Sequence, residues 1–247
     1  MSASTGDSFQ AHNEVQRQYF EATFKQTMVP GETPYLRRHV RALIRHAGVQ
    51  PGARLLDVGC GMGRYTLLLA DEGFRVEGLD LAPALLERLR TFNAGRYEIP
   101  LYAGDLLAHA DRLAGRFDAV VGFFTLHHLH ALDESFQAMA KLVRPGGRVA
   151  FLEPNPYNPS YYLQILITPR MTWRGERGLL SMRRARVCGA MTRAGLRAPS
   201  IARFGLFPPA LANRSWARPL EALGEAAVSW TPCLAFQVFS ATRPSAG

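Results

Sequence analysis

Between Pro51 and Glu153 the chain alternates two patterns: short, nearly continuous apolar runs, and longer stretches in which apolar positions return every three or four residues. The runs predict buried strands at 54–58, 75–79, 98–103, 117–122 and 148–153. The longer stretches predict helices at 65–72, 84–91 and 132–143. Gly73 stands where a helix C-cap is needed, and Pro83 where a first-turn proline opens the next helix. The turn Pro145, Gly146, Gly147 delivers the fifth strand. Strands alternating with helices at this spacing imply an α/β fold, a doubly wound, mostly parallel sheet of the Rossmann-like kind. Ligands in such sheets bind beyond the carboxyl ends of the strands. Those ends carry residues 57–63, Asp80, Asp105, residues 123–128 and residues 153–155.

Outside this region the rhythm changes. Residues 9–49 read as two helical stretches separated by VPGETP, and we take 1–50 as an amino-terminal helical cap before a domain of 51–247. After Glu153 comes a stretch of prolines, aromatics and arginines, and residues 156–182 are expected to form an insert. A helix at 183–194 and strands at 198–204 and 234–241 would complete a seven-stranded sheet.

Composition narrows the class without choosing a chemistry. The 247 residues are 47% hydrophobic and 20% charged, the balance of a globular chain. The start lacks a basic and apolar leader, and no apolar run reaches the ~18 residues of a membrane span, so a cytoplasmic location is expected. Cys60, Cys188 and Cys233 are far apart and suit neither a disulfide framework nor a CxxC metal knuckle. The net charge of +9 raises nucleic acid as a partner. Because the cations are nearly all arginine, with Lys25 and Lys141 the only lysines, compositional bias explains the charge as well.

The stretch Leu55 to Gly63, LLDVGCGMG, runs from a strand into a glycine turn that lets the main chain approach a ligand. A dinucleotide turn needs G-x-G-x-x-G, but Arg64 stands where its third glycine belongs. The pattern instead resembles motif I of the class I S-adenosylmethionine-dependent methyltransferases. The likeness extends through an acidic end to the second strand, a Gly-Asp step after the third and the fourth-strand loop. It implies that Gly59, Gly61 and Gly63 pack against the methionine half of S-adenosylmethionine, with Asp57 helping to hold its ammonium. Asp80 would meet the ribose hydroxyls, and Asp105 with Leu106 the adenine. Phe123 and Phe124 would lie near the adenosine or sulfonium. Tyr19, Cys60, Leu81 and His128 complete the expected cofactor contacts, and S-adenosylhomocysteine is the product.

A phenol or hydroxyl acceptor also needs a base. His127, beside the expected methyl position, is the candidate, while His128 reads as cofactor-lining. Glu153, Asn155, Tyr157 and Tyr161 are candidate substrate contacts; Glu153 and Asn155 equally suit tying down the following loop. The fourth-strand loop reads FFTL, unlike the (N/D)PP(Y/F) step of amino-group methylases. The arrangement most resembles the ubiquinone- and menaquinone-biosynthesis methyltransferases and related natural-product enzymes. In the ubiquinone enzymes an acidic residue associated with metal precedes the loop histidine; His127 occupies that position here, so no metal is expected. The insert carries Tyr157, Tyr161, Tyr162, Leu163 and Ile165 with Arg170, Arg174 and Arg177 nearby. It suits a lid over a hydrophobic acceptor, a buried helix, or a weak peripheral contact with an anionic bilayer. The expected reaction is O-methylation of a phenol-like or polyketide-like small molecule in secondary metabolism. N- or C-methylation of a metabolite, and RNA methylation, are the alternatives. The sequence leaves the oligomeric state open.

Overall fold

The computed structural model describes residues 13–18, 28–129, 131–167, 173–228 and 234–245. Seven strands form one sheet: β1 Arg54–Val58, β2 Arg75–Asp80, β3 Leu101–Ala103, β4 Phe117–Phe123, β5 Val143–Pro154, β6 Arg197–Phe204 and β7 Phe236–Thr242. Their order is β3-β2-β1-β4-β5-β7-β6, with β7 antiparallel to both neighbours and β1 to β5 parallel. The sequence reversal between β1 and β4 opens a crevice at the carboxyl ends of these strands, where ligands bind in open α/β sheets.

The long helices are α1 Pro34–Ala47, α2 Thr66–Asp71, α3 Pro83–Asn93, α4 Leu132–Leu142, α5 Pro159–Ile167, α6 Arg184–Arg193 and α7 Ala217–Ala227. Local chemistry sets the ends of α1: the Thr33 hydroxyl accepts from Leu36 N at 3.2 Å, Pro34 fills the first turn, and Gly48 closes it at φ 67°. Side chains alternate across the sheet. Leu56, Val58, Val120 and Phe151 pack on one face with α4 and α6. Leu55, Ala119, Val121 and Leu152 pack on the other, beneath Leu36, Val40 and Leu43 of α1. The expected boundary at residue 50 therefore does not separate two cores, since α1 is a layer of the sheet domain. β5 begins five residues earlier than expected, because the Pro145–Gly147 turn is carried within it.

The described residues of the insert form α5, a short helix Trp173–Glu176 and a 3-10 turn Arg177–Ser181. It packs against the loop after β4: a side chain on Gly178 would collide with the His127 carbonyl. Among the described residues no helix is long and apolar enough to cross a membrane.

Candidate active site

The glycine turn after β1 is built for close approach. Gly59 and Gly61 have φ of 72° and 53°, left-handed conformations that side chains rarely adopt. A Cβ on Gly59 would run into Thr125, whereas one on Gly61 would meet nothing within 4 Å. That open space belongs to a cavity of about 770 Å³ along the carboxyl ends of the strands, within the ~300–1,000 Å³ usual for ligand sites.

Asp80, at the end of β2, lines the cavity. Its Oδ2 accepts from Gly61 N at 2.8 Å and its Oδ1 from Ala82 N at 2.9 Å, so one carboxylate fixes both the turn and the entry to α3. Burial raises its pKa, and the amide donors of Ala82, Gly61 and Leu81 oppose that rise. Asp105 also lines the cavity, with Oδ1 accepting from Leu107 N at 2.6 Å and Oδ2 from the Asn13 amide. The helical residues 13–18 thus reach the cavity rim, where Asn13 and Gln16 are wall residues. Cys60 lies over Gly78 of β2, and burial pushes its thiol well above the ordinary range, which makes it a wall residue and not a nucleophile. Phe123 stacks on Tyr65 at 4.3 Å. Phe124, a bulky residue held at φ 56°, is strained backbone at the mouth of β4, as functional sites often show.

A buried polar cluster joins the cavity to the end of β5. Glu153 is 0% exposed: its Oε1 accepts from Thr125 N at 2.9 Å and Leu126 N at 2.6 Å, and its Oε2 lies 2.5 Å from His127 Nδ1. His127 Nε2 faces Glu176 Oε2 at 3.2 Å, and that same oxygen accepts from the Tyr161 hydroxyl at 3.1 Å. Burial pulls the His127 pKa down, but the charge and hydrogen bond of Glu153, with those of Glu176, outweigh it and raise it to about 9. At neutral pH this imidazole already holds a proton, which runs against the expectation that it serves as the base. The His128 ring lies against it, with centroids 4.0 Å apart and planes inclined at 42°, and also lines the cavity. One atom each of His127, His128 and Glu176 lies within 4.8 Å of the others, a spacing a metal ion would suit. Both His127 nitrogens, however, already face carboxylates.

Of the expected cofactor contacts, Gly59, Cys60, Gly61, Asp80, Leu81, Asp105, Leu106, Phe123, Phe124 and His128 are brought to this one cavity. Asp57 and Gly63 stand behind it. Asp57 accepts from the Thr66 hydroxyl at 2.7 Å, and burial raises its pKa to about 7 against that hydrogen bond. Tyr19 lies outside the described residues. Of the expected substrate contacts only Tyr161 lines the cavity. Glu153 and Asn155 are buried ties, Asn155 donating to Leu234 O at 2.7 Å, and Tyr157 is 48% exposed on the surface. The Glu153 carboxylate is taken up by loop amides, the Asn155 amide by a backbone carbonyl, and Tyr157 faces outward, so none of the three is at the cavity wall. Sequence reasoning missed Tyr35, His39, Tyr65, Glu176 and Phe236, and used Arg64 only to exclude a dinucleotide. The i, i+4 pair Tyr35 and His39 just after a capped helix start was the available signal.

A seven-stranded sheet with one antiparallel strand, a glycine turn after β1, an acid ending β2 and a cavity across them define a class I S-adenosylmethionine-dependent methyltransferase. The sequence model of the methyltransferase domain matches residues 33–199, and the chain belongs to that family. A ubiquinone biosynthesis O-methyltransferase of Erwinia tasmaniensis is 36% identical over 126 residues, 50% of this chain and 51% of that protein. The chain thus spans about half the length of the curated relatives it matches. Among solved structures, geranyl diphosphate methyltransferase in complex with GPP and sinefungin superposes with a TM-score of 0.61 at 16% identity, covering 94% of this chain and 99% of the other. Haemonchus contortus phosphoethanolamine N-methyltransferase 2 with S-adenosyl-L-methionine gives 0.59 at 17% identity, over 84% and 52%. At these identities the two structures speak for the fold.

Proposed function

We propose that the protein transfers the methyl group of S-adenosylmethionine to an oxygen of a hydrophobic, phenol-like or polyketide-like small molecule. One observation carries this reading: a single cavity joins the glycine turn and Asp80 to an aromatic wall and to the cluster His127, His128, Glu176 and Tyr161. The residues fit the cofactor, since the space beside Gly61 is one that a Cβ would fill and Asp80 is held in place by two amides. The bound sulfonium supplies an electrophilic methyl group. Holding an acceptor against it supplies several of the ~7–11 kcal/mol available from orientation.

Asp80 would hold the ribose hydroxyls, and Leu106 and Leu85 would give the adenine an apolar slot. Phe123 and Phe124, both lining the cavity, would hold the cationic end among aromatic rings. On the acceptor side, His127 keeps its proton between Glu153 and Glu176 and acts as a fixed positive charge. His128, tilted against it at the cavity wall, is the imidazole that takes the acceptor proton. The helical residues 13–18 and the insert 156–182 act as the cover that excludes water.

Incubating the protein with methyl-labelled S-adenosylmethionine and a cell extract, then identifying the product by mass spectrometry, tests the assignment. A methoxy product from an apolar small molecule is expected. Label on nitrogen or carbon would remove the oxygen assignment, and label in RNA would remove the small-molecule acceptor.

A further inference from the structure

Among the described residues, every exposed large hydrophobic side chain except Val15 and Phe92 lies in one of two segments, 156–186 and 206–228. Both segments border the cavity, since Leu163 of α5 and the loop Leu206 to Pro209 before α7 are wall residues. Helix α7 is turned inside out. Its acids face the protein, where Glu221 is 2% exposed and both Glu221 and Glu225 pair with Arg38 of α1. Its outward side carries Leu220 and Leu223, 52% and 69% exposed, with exposed Trp216 at its start. A surface helix ordinarily lays its apolar stripe on the core, but here the ion pairs with Arg38 hold the opposite rotation. Helix α5 has no charged residue and adds Leu166, also 69% exposed. Single exposed leucines are ordinary, whereas a group of them bordering one cavity marks an interaction surface.

Charge decides what this surface meets. The only acids in the two segments are Glu176, Glu221 and Glu225. Glu176 and Glu221 are buried, and Glu225 is held by Arg38. Arg183, Arg184, Arg186 and Arg214 of the same segments are exposed. In a two-fold contact the same patch meets itself, so a second copy would bring these cations against one another. Leucine and tryptophan beside arginine instead match the boundary of an anionic bilayer. There leucine enters the acyl region, tryptophan sits at headgroup level and arginine meets lipid phosphate.

We propose that the protein docks on an anionic lipid bilayer through the outward sides of α5 and α7, so that the cavity opens onto the membrane and a lipophilic acceptor enters from it. The entry route rests on the hydrophobic acceptor proposed above; the docking does not.

Co-sedimentation of the full chain with vesicles tests it, using phosphatidylcholine alone and phosphatidylcholine with phosphatidylglycerol in equal parts. Wild type should pellet with the mixed vesicles and bind phosphatidylcholine alone about tenfold or more weakly. Changing Leu220 and Leu223 together to Gln should weaken binding at least about tenfold, as the apolar area is lost. Arg214→Gln should weaken it about fivefold. Phe92→Gln, which removes an exposed apolar side chain elsewhere, should bind as wild type. All these side chains are exposed, so an unchanged melting temperature and unchanged S-adenosylhomocysteine affinity separate lost docking from lost folding. Wild type that stays in solution with both vesicles, or a double leucine variant that pellets as well as wild type, overturns the docking. A wild-type dimer that the same double variant dissociates would give the face to a second copy and overturn it too. Methyl label then tests the route. With extract lipids in the vesicles, label should enter the lipid fraction faster with wild type than with the double variant. Vesicle binding with all label in a water-soluble product overturns the hydrophobic acceptor and its entry from the membrane, and leaves the docking in place.

Discussion

Gly61 and Asp80 act through each other at the residue scale, because the carboxylate that faces the cavity also holds the Gly61 amide. Two substitutions separate backbone space from charge. In Gly61→Val the side chain enters the open space of the turn at a φ that already disfavours it, so S-adenosylmethionine binding should be lost while the sheet survives. Calorimetry paired with circular dichroism reads both, and normal affinity would remove the turn from the site. Asp80→Asn keeps the shape and loses charged acceptors worth ~1.5–3 kcal/mol each, so the dissociation constant should rise about 10- to 100-fold. These two residues were legible in the sequence because their requirements are local: a turn with left-handed backbone, and an acid ending an apolar run. The partner of His127 was not. Glu176 lies 49 residues away in the insert, and no periodicity links it to the β4 loop. Nor could the sequence show that Glu153 would turn back to the amides of Thr125 and Leu126.

Buried charge ties elements together, and two of these ties each make a prediction. The first is the His127 cluster, which joins β5, the β4 loop and the insert. Its folded pKa of about 9 lies above the ordinary 6.5, so the folded state binds that proton more tightly than the unfolded chain. The stability it contributes is complete below about pH 6.5 and lost as pH rises through about 9. Chemical denaturation across that range should show wild type weakening and His127→Gln changing less; parallel slopes would mean another group sets the pH dependence. The second tie is Arg38 of α1, which pairs with Glu221 and Glu225 of α7. Glu221, only 2% exposed, also accepts from Leu206 N at 3.0 Å and Phe207 N at 2.9 Å, and so fixes the cavity wall formed by Leu206 to Pro209. Arg38→Met leaves that carboxylate buried without its cation, a loss of ~3–5 kcal/mol by comparison with other broken buried pairs. Thermal melts should show it, together with weaker acceptor binding at unchanged affinity for the donor. The helix α1 was visible as an apolar stripe. Its packing as a layer of the sheet was not, because a stripe says that a face is covered and not by what.

Over the whole molecule, the family match begins at residue 33, yet the cavity is lined by residues that precede it. Asn13 bonds Asp105, and Met28 and Val29 pack against Met62, Ala82 and Leu85 at the entry to α3. The sheet core draws on neither set, since its two faces are filled by residues from α1 onward. Of the described amino-terminal residues, 13–18 and 28–29 thus border the cavity or the entry to α3 without entering either face of the sheet core. Removing residues 1–32 should therefore leave the far-ultraviolet spectrum and the cooperative melt in place. S-adenosylhomocysteine affinity should fall about tenfold, as burial of the adenosine side is lost. A truncated chain that fails to fold would show that these first residues are part of the core, and one that binds with full affinity would show that the cavity is closed by the insert alone.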